Sequence, residues 1–418
     1  MHDRTHKTII WLLSAAVGVA LVAAVFLSAT DGERRNAMRN RAATLRDQAQ
    51  FRNLSRPVLR GEPLPGNAWD EYNLALDDAQ TIRDDERVNL VKFVGRIPGA
   101  SRASVEQLLA AHRVVIEHLR LGAQRSNGQY PYEWTHVGLA MPSIMLSRQV
   151  AMLAAAQARI WSDQGRNQEA SDLLLDLSQF AGDLGTNGPL LSNLAGIAVY
   201  FSAFDELRDL VASQRLNRRE LSRLAETLKV MDRNFPAFGP AMMNEAAWMA
   251  IIIDDEITQL STQEEMSFFK PRGGWRHGFS ARRMLFDAFE KNDAYAQRYE
   301  QIDRLPFAAA EKEMAAIVAE IKASDNPMLR QITSDLTKAL ATHRQGIARL
   351  RLLRAAAMYL STGETLTLDD PFGTKLRFSK AGDKLKIWSI GSDGTDQNGR
   401  GTWESASGHD DIVVEISR

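Results

Sequence analysis

The sequence has no cysteine in its 418 residues. This absence excludes disulfide bonds, thiolate-bound zinc, iron–sulfur clusters and cysteine nucleophiles. It leaves the compartment open, because a large domain can fold in an oxidising space without disulfides. The chain also lacks an excess of charge, since its formal net charge is -1. There is therefore no overall basic field of the kind that attracts nucleic acid, and we expect no nucleic-acid partner.

Common catalytic motifs are absent as well. The sequence has no His-Glu-x-x-His, no Gly-x-Ser-x-Gly and no phosphate-binding glycine loop. His112 and His118 are six residues apart, a spacing that places them on different faces of a helix. Enzymatic activity is therefore not expected. An enzyme that uses His277 or the acidic residues between positions 254 and 265 remains an alternative hypothesis, although a surface loop and a solvated helix face explain those residues better.

The N-terminus contains an uninterrupted apolar run over residues 8–29. A helix needs about 20 apolar residues to cross a bilayer, so this run predicts a transmembrane helix within residues 1–30. A cleaved signal peptide is the alternative, but its apolar region is shorter, about 7–15 residues. Positive charges tend to lie on the cytoplasmic side of a span, so the arginines after this run would favour a cytoplasmic C-terminal side. They are Arg34, Arg35, Arg39 and Arg41. Large domains, however, translocate largely regardless of such charges.

Residues 31–340 have apolar residues at helical spacing and are predicted to form a helical body. Ala151–Trp161 and Glu169–Leu184 indicate a hairpin of tetratricopeptide-like type, joined by a tight link at residues 163–166. No repeat of tetratricopeptide length is visible, so an irregular bundle is equally open. A group of arginines near the end of the helical region is expected to be a solvated surface: Arg344, Arg349, Arg351 and Arg354.

Residues 341–418 change from a helical to a strand pattern. A turn at Pro371-Phe372-Gly373 follows the last helix, and strands are predicted over residues 375–379, 384–390 and 411–416. A helix followed by a short antiparallel sheet is a small α+β unit. The predicted fold class is therefore mainly α, with an N-terminal transmembrane helix, a helical body and this C-terminal unit.

Acidic residues and glycines alternate between the second and third predicted strands. Asp393, Asp396, Asp410 and Asp411 lie there with several glycines. Calcium takes about 6–8 oxygen ligands from carboxylates, carbonyls and water, which such a loop can supply. A solvated polar loop has the same composition, however, and composition alone favours it. The spacing is not that of an EF-hand, because no Glu closes the loop.

The C-terminal motifs resemble the major pseudopilin of type II secretion systems. They are Asp370-Pro371-Phe372-Gly373, the segment Trp388-Ser389-Ile390-Gly391-Ser392-Asp393-Gly394, and Asp410-Asp411-Ile412. The resemblance covers about the last seventy residues. It implies a helix packed on a small antiparallel sheet and a structural calcium ion. The implied ligands are the side chains of Asp393 and Asp411 and the carbonyl of Ile390, with Asp396 and Asp410 as additional ligands.

The chain departs from that family elsewhere. It lacks the processing glycine and the Phe-Thr-Leu-Ile-Glu-like start, and a long helical region separates the apolar run from the predicted sheet. Polymerisation as a pilin is therefore not expected. The whole chain is also similar to uncharacterised bacterial membrane-anchored helical proteins that carry the same tail. Those proteins have no assigned activity, so this resemblance implies an architecture only.

Together these observations predict a membrane-anchored envelope protein without enzymatic activity. Its helical body would bind an unidentified protein partner, and its tail would be stabilised by calcium. Because calcium is scarce in the cytosol, the bulk of the chain is expected in the periplasm, anchored in the bacterial inner membrane by a single span. The alternative is an accessory component of a type II secretion or pilus-like system, with the tail docked into pseudopilin assemblies.

Overall fold

The computed structural model describes residues 32–44, 47, 56–132, 141–262, 278–332, 336–403 and 410–417. The protein is mainly helical, and a three-stranded antiparallel sheet lies near its C-terminus, as the sequence predicts. The helices are α1 (32–44), α2 (Ala68–Ala79), α3 (Asp84–Val94), α4 (Arg102–Ala111), α5 (Arg113–Gln124), α6 (Ile144–Asp163), α7 (Asn167–Gly185), α8 (Leu190–Ala212), α9 (Arg218–Arg233), α10 (Phe238–Thr262), α11 (Gly278–Ile302), α12 (Phe307–Ala323), α13 (Pro327–Ile332) and α14 (Thr337–Thr362). The strands are β1 (Leu64–Asn67), β2 (Arg125–Asn127), β3 (Arg377–Ala381), β4 (Lys384–Ser389) and β5 (Ile412–Ser417).

No helix within these described ranges combines the length and the apolar character that a bilayer crossing requires. This finding contradicts the predicted location as a single-pass inner-membrane protein, and that prediction is corrected here. The apolar run of residues 8–29 lies outside the described residues.

Helix α1 packs on the helical body. Its Met38 is only 2 % exposed. The arginines that the sequence suggested as orientation signals form ion pairs with acids of α10 and α11. The pairs join Arg34 to Asp287 and Glu290, Arg35 and Arg39 to Asp254, and Arg41 to Asp293. These charges therefore attach α1 to the α10–α11 pair.

Helices α6 and α7 form the predicted hairpin and the centre of the core. Small residues on α6 such as Ala154 and Ala158 are completely or almost completely buried, which allows the two helices to approach closely. Leu173 and Phe180 of α7 are equally buried, and each such side chain contributes about 1.5–3 kcal/mol through its removal from water. Helices α4 and α5 follow each other directly and are separate helices because the backbone breaks at His112.

Helix α14 joins the helical body to the sheet. It contacts α8 and α9 on the body and β4 and β5 in the sheet. Arg349, at its centre, is 6 % exposed and donates from Nη2 to the Trp403 carbonyl oxygen at 2.9 Å. Its guanidinium also lies 4.4 Å from the ring centroid of Phe201. The expectation that this arginine is solvated is therefore wrong.

The sheet has the order β3-β4-β5, with both neighbouring pairs antiparallel. The β3–β4 hairpin turns at Gly382, whose φ of 61° is the left-handed conformation that glycine tolerates. Leu385 and Ile387 of β4 and their partners on β5 are buried. This apolar face of β4 completes the core beneath α14.

Replacing Arg349 with alanine is expected to lower the free energy of unfolding by about 1–3 kcal/mol, because the buried Trp403 carbonyl loses its donor. Urea denaturation of the full chain measures this change. The matched control is Arg218→Ala on the exposed surface of α9, which should stay within about 0.5 kcal/mol of the original protein. Equal effects of the two variants would contradict the internal role of Arg349.

Helix α8 begins at a carboxylate contributed by α10. The backbone N–H of Leu190 donates to Oε2 of Glu245 at 3.1 Å. Burial raises the pKa of Glu245 to about 7, and the hydrogen bond from Leu190 acts against that shift. The folded protein therefore keeps a proton on Glu245 at pH values where the unfolded chain, with a glutamate pKa of about 4.3, has lost it.

Because the folded state binds this proton and the unfolded state does not, stability should fall as pH rises from about 4.5 to 7. Glu245→Gln keeps an oxygen that accepts from Leu190 but cannot ionise. We expect the melting temperature of the original protein to decrease relative to this variant over that pH range. A constant difference between the two proteins from pH 4.5 to 8 would contradict the shifted pKa.

Candidate functional site

The predicted calcium residues lie around the loop between β4 and β5. Ile390 follows β4 directly, Asp393 and Asp396 lie in the loop, and Asp410 and Asp411 precede β5. The loop starts at Gly391, which has a φ of 68°. A Cβ on this glycine would lie 2.6 Å from the carbonyl oxygen of Asp410. The two ends of the loop are therefore in close contact.

Asp411 is completely buried and holds the loop from inside. Its Oδ2 accepts from the backbone N–H of Gly399 at 2.7 Å, and its Oδ1 accepts from that of Gln397 at 3.4 Å. Burial raises the pKa of Asp411, and the negative charges of Asp396 and Asp393 add to that shift. The three carboxylates are thus near enough to influence one another.

The other two carboxylates are engaged with donors of the protein itself. Asp393 accepts from Thr395 N at 2.9 Å and from Gln397 Nε2 at 2.7 Å. Asp396 accepts from Trp388 Nε1 at 3.0 Å and forms an ion pair with Arg377 at 2.7 Å.

The loop is therefore not arranged as a set of open calcium ligands. In the described part of the chain, no group of three or more His, Asp or Glu side chains is placed to hold a metal ion. Asp410 is exposed, and His409 lies outside the described residues. Calcium binding by this loop stays a prediction.

Asp370, the first residue of the Asp-Pro-Phe-Gly motif, was not among the predicted ligands, but it is buried and holds this unit together. Its Oδ1 accepts from Ser389 Oγ at 2.7 Å and from Phe372 N at 3.0 Å, and its Oδ2 accepts from Ile390 N at 3.0 Å. Burial raises its pKa. This carboxylate ties the Asp-Pro-Phe-Gly turn to the end of β4. The turn motif was the available signal for it.

A second candidate lies in the helical body, where the sequence predicted no site. A cavity of about 540 Å³ is enclosed by α7, α8, the end of α9, the start of α10 and the segments at residues 56–59 and 126–129. Its volume falls within the range of about 300–1,000 Å³ that is common for small-molecule sites. The cavity therefore has the size of a ligand site.

Two residues of the cavity lining carry an amide oxygen that is buried, with less than 1 Å² of accessible surface, and that has no hydrogen-bond partner among the described residues. Gln179 is 6 % exposed; its Nε2 donates to Asp183 Oδ1 at 3.3 Å, which leaves Oε1 unpartnered. Asn187 also lines the cavity with an unpartnered Oδ1. Its backbone has a φ of 63°, a conformation that asparagine tolerates better than most residues. Both oxygens are acceptors that lack a donor.

A buried ion pair forms one wall of the cavity. Arg56 donates to both oxygens of Asp183, at 2.8 and 2.6 Å, and Tyr72 donates to the same carboxylate at 2.9 Å. Burial raises the pKa of Asp183, and the hydrogen bonds from Arg56 act against that shift. With Gln179 as a further donor, the carboxylate is saturated and is poorly suited to act as a general base.

The described residues that line the cavity include neither histidine nor lysine. The hydroxyl of Ser178 donates to the Leu174 carbonyl at 2.8 Å, so it is not paired with a base. Of the alternative catalytic candidates, Asp254 is ion-paired with α1, and His277 lies outside the described residues. The cavity offers polar contacts, but it brings together no nucleophile and base.

Comparisons with protein-family models, with curated proteins and with solved structures give no match. The resemblance to pseudopilins therefore stays a prediction from the C-terminal motifs. The cavity is assessed on its geometry alone.

The replacement Asp411→Ala should lower the melting temperature by the same amount in a calcium chelator and in excess calcium. The reason is that Asp411 already accepts two backbone N–H groups of its own loop. Differential scanning calorimetry of the full chain measures both conditions. Asp383→Ala, in the exposed β3–β4 turn, is the control. A loss seen only with calcium present would support the calcium prediction instead.

Proposed function

We propose that this chain is a non-enzymatic binding protein whose helical body receives a small polar ligand in the cavity between α7 and α10. The observation that carries the proposal is a cavity of ligand size whose lining combines the polar residues Asn127, Gln129 and Thr186 with apolar residues such as Leu59 and Phe235. Small-molecule sites commonly combine apolar walls with a few polar groups that orient the ligand.

Aromatic residues packed behind the cavity wall favour a preformed site. Tyr72 lies 4.7 Å from Phe180 and 5.4 Å from Trp69, measured between ring centroids. Trp69 in turn donates from Nε1 to the carbonyl of Gly128 at 2.9 Å, which fixes a lining segment. Rigid walls reduce the entropy that is lost when a ligand binds.

A second candidate function is that of an accessory component in a type II secretion or pilus-like system. The observation that favours it is the order of α14 followed by a three-stranded antiparallel sheet, which is the order in the family that the tail resembles. Co-purification of the full chain with pseudopilins tests this candidate. A variant that replaces Arg377 and Lys380 of the edge strand β3 should lose that association, and such a loss would support this second candidate.

The cavity proposal predicts that a small-molecule thermal-shift screen of the full chain yields ligands whose effect disappears in Ala237→Trp. Ala237 is an exposed residue of the cavity lining, and a tryptophan there would occupy the space of a ligand. A ligand at about 100 times its Kd stabilises the protein by about 2.7 kcal/mol, which the screen detects.

The control for this experiment is Ala103→Trp, which adds the same side chain at an exposed position on α4. It should keep the ligand response. Ligands that stabilise both tryptophan variants equally bind elsewhere, and a screen with only such ligands would overturn the proposal.

A further inference from the structure

A buried histidine of α14 holds the chain segment that links α9 to α10. His343 is 3 % exposed, and its Nε2 donates to the carbonyl oxygen of Pro236 at 2.7 Å. The rings of Phe235 and Phe238 lie 5.6 and 5.8 Å from the imidazole, measured between centroids. Because a carbonyl oxygen can only accept, Nε2 carries a proton in this arrangement. The imidazole therefore connects the link between α9 and α10 to α14.

The other ring nitrogen of His343 has no partner for a second proton. Nδ1 has less than 1 Å² of accessible surface, and it has no hydrogen-bond partner among the described residues. Protonation would turn this nitrogen into a buried donor without an acceptor and would add a positive charge that water cannot reach. Both changes are costly inside a protein. The observed packing is therefore built around a neutral imidazole.

Burial and neighbouring charges together determine the protonation of this ring. Burial lowers the pKa of His343, the hydrogen bond to Pro236 and the charge of Asp303 act against that shift, and the charge of Arg344 adds to it. Asp303, which follows α11, already accepts from the backbone N–H of Gly239 at the start of α10. Arg344, the next residue of α14, donates to the carbonyl oxygen of Asp303 at 3.2 Å. Both charged groups are thus held by other contacts.

The helices α8 and α9 also bring titratable groups towards this region. Tyr200 of α8 stacks on Phe235 with a centroid distance of 5.0 Å. At the end of α9, Asp232 is paired with Arg351 at 2.9 Å, and Arg233 is exposed. These groups supply no acceptor for Nδ1. The surroundings of His343 therefore oppose a second proton from every side that the structure describes.

The segment that His343 holds is also a wall of the cavity. Phe235, Pro236 and Ala237 all line the cavity. The carbonyl oxygen of Ala237 accepts a long hydrogen bond from Asn193 Nδ2 at 3.5 Å, which restrains the chain less than the 2.7 Å bond from His343 does. Loss of the bond from His343 would therefore loosen this wall.

We infer that His343 is an acid-sensitive latch, whose protonation releases the segment of residues 234–237 from α14 and opens this wall of the cavity. The added proton goes to Nδ1, and the resulting cation gains hydration only when the ring leaves its buried position. The inference goes beyond the proposed function, because the latch operates whether or not the cavity receives a ligand.

The direction of the pH effect follows from the lowered pKa. When the segment is open, the histidine is in water and its pKa is about 6.5. When the segment is closed, the ring binds the proton less readily. The closed form is therefore fully favoured above about pH 6.5, and the open form gains population as pH falls below that value. One pH unit lower, the gain has a limit of about tenfold.

Hydrogen exchange of the full chain, followed by mass spectrometry, tests the latch. Labelling at about pH 7.5 and about pH 5.5 is compared, with labelling times scaled for the chemical exchange rate at each pH. We expect a peptide that covers residues 231–243 to open up to about tenfold more at the lower pH. A peptide that covers residues 150–161 of the buried helix α6 should change by less than about twofold. Equal acceleration of both peptides would indicate global unfolding and would overturn the latch.

A variant assigns the response to the imidazole. His343→Gln keeps an N–H that can donate to Pro236, but it cannot ionise, so it should show the same opening at both pH values. Glu245 titrates in both proteins, and its effect cancels in the comparison. The control is His112→Gln at the junction of α4 and α5, where the ring contacts Asp78 at 2.8 Å. This control should keep the acid response of the original protein.

An acid response in His343→Gln equal to that of the original protein would show that another group is responsible, and the inference would be wrong. The comparison of the two peptides needs no variant, so it decides the inference even if His343→Gln does not fold. Failure of the latch leaves the proposed function intact, because the thermal-shift screen with Ala237→Trp does not depend on the protonation of His343.

Discussion

Helix α14 is the element on which the rest of the structure depends, because the helical body and the C-terminal sheet both bury part of their apolar surface against it. Its side towards the body packs on α8 and α9, and its other side packs on β4 and β5. Two arginines of α14 also stabilise its packing on the sheet and on the helical body. Arg349 connects α14 to Trp403 near the end of the loop, and Arg351 forms an ion pair with Asp232 of α9 at 2.9 Å.

Two buried carboxylates hold the C-terminal unit together by accepting from backbone N–H groups. Asp411 accepts from Gln397 and Gly399 in the β4–β5 loop, and Asp370 accepts from Phe372 in the turn before β3 and from Ile390 after β4. The left-handed Gly391 allows the backbone to bend at the start of the loop. These contacts explain the course of the chain, whereas calcium binding stays a prediction.

Local patterns predicted the parts of the fold that local chemistry determines. Helical spacing identified the α6–α7 hairpin, and the strand patterns over residues 375–379 and 384–390 identified β3 and β4. The burial of Arg349 was not predictable from local patterns, because its hydrogen-bond partner Trp403 is 54 residues further along the chain.

The cavity was missed for a related reason. Its lining comes from chain segments that extend from Arg56 to Ala241, and no single segment carries a recognisable motif. Gly182 of α7 leaves room for the Tyr200 hydroxyl, which a Cβ at position 182 would approach to 2.8 Å, and this close approach depends on the tertiary fold.

The central position of α14 also has a consequence for the order in which the protein is made. Helices α8 and α9 are complete at residue 233, but the helix and strands that cover them belong to the last part of the chain. At a synthesis rate of about 5–20 residues per second, the apolar faces of α8 and α9 stay uncovered for roughly 10 to 40 seconds. The body therefore completes its packing only after α14 and the sheet have been synthesised, and until then the newborn chain exposes these apolar faces to aggregation and to chaperones.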